Sequence, residues 1–156
     1  KHKDNADGSG LMNRTEQRGR LSFAYDGGRW TTKTQADVAN CESGSSSFGY
    51  MLSENIGYSH RWLTLNASIG YFNTDDYDSR VYTYERGTLY NFSFPSFSGE
   101  GIRYALNIRS DISANLMLIA KLGTTDYFDR SCISSGLQQI DHSAQTDLDL
   151  QLRWRF

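Results

Sequence analysis

The chain has 156 residues, enough for one domain, with 16 Lys and Arg against 18 Asp and Glu and a formal net charge of −2. That balance gives no basic footprint for nucleic-acid binding, and no apolar run approaches the roughly 18 residues that a membrane helix needs. The polar mean hydropathy excludes a helical membrane protein but not a barrel, whose strands turn only every second residue to lipid.

The opening K-H-K-D-N-A-D-G-S-G has a charged start and no apolar centre, so it does not read as a signal peptide. Residues Lys1 to Arg14 are polar and Gly-containing and read as a loop or linker. Period-two alternation starts near Thr15. It sets Leu21, Phe23 and Tyr25 on one face and Arg18, Arg20, Ser22 and Ala24 on the other. Asp26-Gly27-Gly28 is a tight-turn signal. A second strand from Arg29 to about Asn40 carries Trp30, Thr32, Thr34, Ala36 and Val38 opposite Lys33, Gln35 and Asp37. Cys41 to Ser47 (C-E-S-G-S-S-S) is loop-like in composition.

Phe48, Tyr50, Leu52, Ile56 and Tyr58 alternate along a third strand, which Glu54 interrupts on the apolar side; a bulge and a protein-covered patch both account for it. After a turn at Ser59-His60-Arg61, Leu63, Leu65, Ala67, Ile69 and Tyr71 oppose Thr64, Asn66, Ser68 and Gly70. The longest interruption runs from Thr74 to Gly99, with V-Y-T-Y-E and L-Y-N-F-S-F suggesting a smaller hairpin around Arg86-Gly87. Ile102, Tyr104, Leu106 and Ile108 then face away from Arg103, Ala105, Asn107 and Arg109. Beyond a turn at residues 110–115, Leu116, Leu118, Ala120 and Leu122 oppose Lys121 and Gly123. Asp129 to Ser143 is a polar loop. The last strand, T-D-L-D-L-Q-L-R-W-R-F, sets Leu148, Leu150, Leu152, Trp154 and Phe156 against Asp147, Asp149, Gln151, Arg153 and Arg155.

This is an all-β pattern: about seven or eight strands in a transmembrane antiparallel up-and-down β-barrel, with short turns alternating with long loops after Asn40, Asn73 and Tyr127. Short periplasmic turns and longer extracellular loops are the habit of outer-membrane barrels; the other reading is a soluble lipocalin-like barrel. Trp30 and Trp62 follow short turns, and with Trp154 and Phe156 they form a membrane-interface rim, while Tyr50, Tyr71 and Tyr104 fall toward the opposite one. The charges facing the lumen are Arg18, Arg20, Lys33, Asp37, Arg103, Arg109, Lys121, Asp147, Asp149, Arg153 and Arg155. In a water-filled lumen their basic excess favours anions; in a plugged one they pair internally. Counting back from Phe156 at the periplasmic end makes the strand at Thr15 run down from outside and leaves an odd count. The expectation is therefore the C-terminal part of a larger barrel, or one whose edges pair with another chain.

Chemistry is sparse. His2, His60 and His142 lie in separate segments, and Ser143 beside His142 lacks an orienting partner, so no catalytic residues are expected and the protein reads as no enzyme. Asp75, Asp76 and Asp78, and D-N-A-D-G-S-G at Asp4 to Gly10, are weak calcium patterns that read as solvated loops, so no metal or cofactor is expected. Cys41 and Cys132 both fall in long loops, where a disulfide between them would tie the loops together.

Tyr71 to Glu85 (Y-F-N-T-D-D-Y-D-S-R-V-Y-T-Y-E), L-Y-N-F-S-F-P at Leu89 to Pro95, I-S-S-G-L-Q-Q-I-D at Ile133 to Asp141 and the R-W-R-F ending carry a resemblance. From about Tyr50 to Phe156 the chain resembles the C-terminal region of the helix-hairpin-helix domain-containing outer-membrane β-barrel proteins of Bacteroidota. No helix-hairpin-helix segment is present, so the resemblance implies truncation. It implies a place, the outer membrane of a Gram-negative bacterium, and partners: outer-membrane lipids, the barrel-assembly machinery, and other outer-membrane chains. The expected function is a structural or interaction subunit of a cell-envelope assembly, with a passive, mildly anion-favouring pore or transport barrel as the alternative.

Overall fold

A computed structural model describes residues 2–4, 11–91 and 94–156. It is built from strands, with one short 3₁₀ turn at Gly136–Gln138 among the described residues. A hairpin of β1 (His2–Asp4) and β2 (Leu11–Asn13) precedes the main sheet. That sheet begins with β3 (Thr15–Asp26), β4 (Trp30–Ser43), β5 (Ser45–His60) and β6 (Leu63–Thr74). A separate two-stranded unit follows, made of β7 (Val81–Tyr82) and β8 (Ser96–Phe97). The main sheet then resumes with β9 (Glu100–Asp111), β10 (Leu116–Tyr127) and β11 (Ala144–Trp154).

The main sheet has seven strands in the order β11-β10-β9-β6-β5-β4-β3, every neighbouring pair antiparallel, so the chain runs up and down through it. The seven long strands are those that the alternation marks. The sheet does not close into a barrel: β3 bonds only β4, and β11 bonds only β10. An antiparallel array of seven places its first and last strands in the same direction, so β3 and β11 run parallel to one another.

The two faces invert the usual burial rule. One is apolar and bare, with Leu21 77% and Leu148 61% exposed and Leu52, Ile56, Ile69, Leu106, Leu118, Leu150 and Leu152 open beside them. The other is polar and, over much of its area, buried: Gln35, Asp37, Ser53, Arg103, Asn107, Lys121 and Thr125 are all inaccessible. The cover is the connection between β6 and β9, whose described residues, 75–91 and 94–99, fold back across this face. Its neck is held by Thr74, whose N–H donates to the Gly99 carbonyl at 2.9 Å and whose Oγ1 accepts from the Gly99 N–H at 2.8 Å. Beneath β7 and β8 lies a small apolar core of Ala39, Met51, Phe72, Val81 and Phe97. Phe72 stacks on Phe97 at 4.9 Å between ring centres and meets the edge of Tyr127 at 5.7 Å.

Three local expectations change. Residues 41–47 are not a loop; β4 and β5 stay paired through Cys41↔Ser47 to Ser43↔Ser45 and turn at Gly44, whose φ of +79° is open to glycine. Just past the turn the strand enters the covered surface: Ser47 is buried and donates to Asp76 at 2.5 Å, and a Cβ on Gly49 would collide with the Ser79 carbonyl oxygen. Second, the described parts of residues 1–14 include the β1–β2 hairpin rather than only loop. Third, the hairpin expected around Arg86-Gly87 forms only at its base, where Val81 pairs Phe97 and Tyr82 pairs Ser96.

Glu54 makes no bulge, since the ladders run through it to Thr34 and to Ile69. Thr32 and Thr34 on the neighbouring strand donate their hydroxyls to its carboxylate, the second at 2.5 Å. A carboxylate on an apolar face is thereby satisfied by its own sheet.

Candidate functional site

The side chains most elaborately organised in this protein lie where the inserted segment meets the charged face. Alternation places Val81, Thr83 and Glu85 on the same side of their segment, and all three are buried. Glu85 is 3% exposed, against Arg103 at 6% on β9 and Lys121 at 3% on β10. Arg103 donates to Glu85 twice, Nε to Oε1 at 2.7 Å and Nη2 to Oε2 at 2.9 Å; Lys121 Nζ stands 2.8 Å from Oε2. The same guanidinium donates to Asp147 of β11 at 2.8 Å and to Thr125 at 3.2 Å. A Cβ on Gly123 would overlap Arg103 Nη2, so glycine keeps this space open.

The network answers a physical demand. A buried ion is tolerable only when its charge and hydrogen-bonding capacity are both matched. Burial works against the ionised form of Glu85, but the bonds from Arg103 and Lys121 outweigh it and hold the carboxyl below the usual carboxylate range. The result is specificity of placement: another register of the segment would strand three buried charges.

Smaller contacts pin the rest. Arg18 donates to the Arg80 carbonyl at 2.9 Å, Asn107 to the Gly87 carbonyl at 3.2 Å, and the Leu89 N–H to Gln151 Oε1 at 2.7 Å. Arg14 bonds Asp78 at 2.6 Å, while Arg20 bonds Asp37 at 2.5 Å.

The residues singled out in the sequence are thus distributed unequally. Arg18, Arg20, Lys33, Asp37, Arg103, Arg109, Lys121, Asp147, Asp149 and Arg153 share the covered side of the sheet by strand parity. Arg103, Lys121 and Asp147 are brought together, and Lys121 lies across from Asp149 in the β10–β11 ladder. Arg109 turns to Asp111 at 3.3 Å. Arg155 lies past the end of β11, its N–H donating to the Asn115 carbonyl. Glu85 is not among the charges that the sequence marks. Its signal is the period-two run V-Y-T-Y-E, which puts a carboxylate on the side of Val81.

The register sets Trp30, Trp62 and Trp154 at one end of the sheet: Trp30 pairs Tyr58, the Trp62 carbonyl accepts from Asp111, and Trp154 pairs Leu116. Trp30 and Tyr58 rings meet at 4.7 Å, and Phe156 is fully exposed at the same end. Tyr50 and Tyr71 meet at 6.2 Å toward the other end.

The disulfide allowed by the sequence is not formed. Cys41 is a buried free thiol inside β4, and Cys132 is an exposed free thiol beyond β10. Of the two calcium patterns, D-N-A-D-G-S-G lies outside the described residues in all but its first position. In the other, Asp75 accepts from the Phe48 N–H at 2.8 Å, and Asp76 from Ser47, Asp78 and Ser79, so these carboxylates shape the loop. The Ser47 hydroxyl, against partial desolvation, holds the Asp76 carboxyl below its usual range. Among the described residues no group of His, Cys, Asp and Glu is placed to hold a metal. Ser143 donates to Asp126 at 2.9 Å.

A cavity of about 430 Å³ remains beside the inserted segment, bounded by residues 83–86 and the covered face from β3 to β9. A second of about 280 Å³ adjoins it and shares Asn66, Tyr84, Arg86 and Asn107. No family model, curated protein or solved structure matches the chain.

Proposed function

We propose that this chain forms part of an outer-membrane β-barrel whose water-facing side is plugged by residues 75–99. We propose further that it works as a structural or interaction subunit of a Gram-negative cell envelope. The observation that carries the reading is the inversion of the two faces. A broad apolar face left bare in water is a liability, whereas in a bilayer it is the surface that contacts lipid. The tryptophans at one end fit an interfacial rim. The resemblance to the Bacteroidota barrel family points the same way.

The subunit role rests on the edges. An unpaired edge is not sustained in hydrocarbon, so β3 and β11 require further strands. Because β3 and β11 run in the same direction, an all-antiparallel closure takes an odd number of them. Insertion would proceed through the barrel-assembly machinery, with lipids and other outer-membrane chains as the lasting partners.

Brominated lipids test the membrane placement through the tryptophans. The chain refolded into vesicles should show Trp30, Trp62 and Trp154 quenched most by bromines near the headgroup. A chain that enters the vesicles and is quenched most by bromines at the bilayer centre, or is not quenched at all, overturns the reading. The pore alternative has the cavity beside the segment in its favour. Planar-bilayer recordings discriminate: steady conductance steps would favour the pore, and a silent bilayer with inserted protein would favour the plugged subunit.

A further inference from the structure

The inserted segment is fastened in two different ways along its length. Its base sits on the apolar core through Val81 and Phe97. Around that base Asp75 and Asp76 accept from the Phe48 N–H and the Ser47 hydroxyl, and Arg14 bonds Asp78. Arg130 donates to the Ser98 carbonyl at 2.9 Å. Residues 83–91 lie beyond the core. Their hydrogen bonds to the sheet run through Glu85, through the Gly87 carbonyl on Asn107, and through the Leu89 N–H on Gln151.

The surfaces beneath the two parts differ in kind. On β9 and β10 the buried side chains are Arg103, Asn107, Lys121 and Thr125, with Ile119 the one apolar member among the described residues. Lifting a cover from an apolar core forfeits the free energy of its burial. Polar groups instead exchange protein partners for water, at a small net cost for each bond.

The two cations also have second partners at hand. Arg103 already donates to Asp147, whose side chain is 42% exposed. Lys121 stands directly across from Asp149 in the β10–β11 ladder, on the same face and at cross-strand distance. Without Glu85, two cations thus face two carboxylates of the neighbouring strand, and their charges balance. Of the three carboxylates, Glu85 is the one carried by the inserted segment.

We propose that residues 83–91 form a strap with two positions, latched by Glu85 on Arg103 and Lys121 and hinged at the β7–β8 base. When the strap lifts, Asp147 keeps Arg103, Asp149 takes Lys121, and water reaches the polar face. Two discrete arrangements of one charge network make this a switch and not a gradual loosening. The inference rests on the reading of residues 75–99 as a plug and says which part of it moves. It does not depend on lipid, so its failure is distinct from a failure of bromine quenching.

Thiol reactivity of the refolded full chain tests it. In a Cys132→Ser background, which removes the exposed thiol, Thr83→Cys places a thiol against the sheet beneath the strap, where Thr83 is 7% exposed. Cys41, buried on the part of the sheet that the base covers, is the internal control. The thiol at position 83 should react with N-ethylmaleimide faster than Cys41. Glu85→Gln should speed it about tenfold or more while Cys41 keeps its rate. Asp147→Asn with Asp149→Asn, Glu85 intact, should slow it by about the same factor, because lifting then leaves both cations without a carboxylate. If these carboxylates only supported the fold, their removal would speed both thiols. An unchanged rate at position 83 in Glu85→Gln, acceleration of both thiols together, or a paired Asp variant that is not slower overturns the proposal.

Discussion

The two faces of the main sheet are made from the same strands, yet they obey opposite rules. On the bare face the large side chains Leu21, Leu106 and Leu150 stay open, and the carboxylate of Glu54 is satisfied locally by threonines of β4. On the covered face charges lie deep, Gly49 admits the backbone of the inserted segment at Ser79, and Gly123 leaves room for the Arg103 guanidinium. The difference teaches that residues 75–99 take the place of a second sheet. The protein's internal contacts concentrate on its polar side, and its apolar side is left for something else.

The comparison breaks most severely at Glu85. Glu85→Ala leaves Arg103 and Lys121 buried without their carboxylate, and should lower unfolding free energy by about 3–5 kcal/mol in denaturant titration. The same residue sets an acid dependence. Its carboxyl is depressed in the folded state, so its contribution is fully present above the unfolded carboxylate value of about 4.3. That contribution is lost as pH falls through the folded value. Stability should therefore drop on acidification below about pH 4, and Glu85→Gln should flatten part of that slope.

Leu106→Arg probes the other face. In a bilayer it should cost about 2–4 kcal/mol; in detergent-free buffer an exposed position would hardly register the change. A negligible cost in vesicles would remove the contrast between the faces. Gly49→Ala should cost about 1–3 kcal/mol, because the added methyl meets the backbone carbonyl of Ser79 and not a side chain that can swing away. The smallest effect belongs to Thr34→Val, which removes one of the two hydroxyls on Glu54 and should cost about 0.5–1.5 kcal/mol. A larger loss there would mean that the bare face depends on polar anchoring more than its composition suggests.

The alternation of the strands is legible because period two is imposed by the backbone and reinforced by unlike environments on the two faces. Leu148, Leu150 and Leu152 against Asp147, Asp149 and Gln151 is its plainest instance. Residues 41–47 are not legible in the same way. Serines and glycine signal a turn, and the chain does turn at Gly44, but the strand pairing runs up to that residue on both sides, which composition alone does not show. Cys41 goes with them: its neighbours suggest a loop cysteine, yet it is a buried strand residue. The charges of β9, β10 and β11 are visible as one face, but their common partner is not, since Glu85 reaches them by a fold-back that no local spacing encodes. The cavity is a product of that same fold-back, which is why Asn66 carries no signal.

The shared direction of β3 and β11 bears on symmetry. Antiparallel pairing of β3 with β3, or β11 with β11, of a second copy needs a twofold axis perpendicular to the strands. That axis would turn the second copy upside down, placing its tryptophan end where the first has its long loops. In the proposed barrel, a twofold along its axis would keep both copies upright but bring β11 beside β3 as parallel neighbours. Upright copies of these seven strands therefore cannot by themselves complete an all-antiparallel wall. On the proposed barrel reading, such a wall would need strands of a different sequence, on the same polypeptide or another.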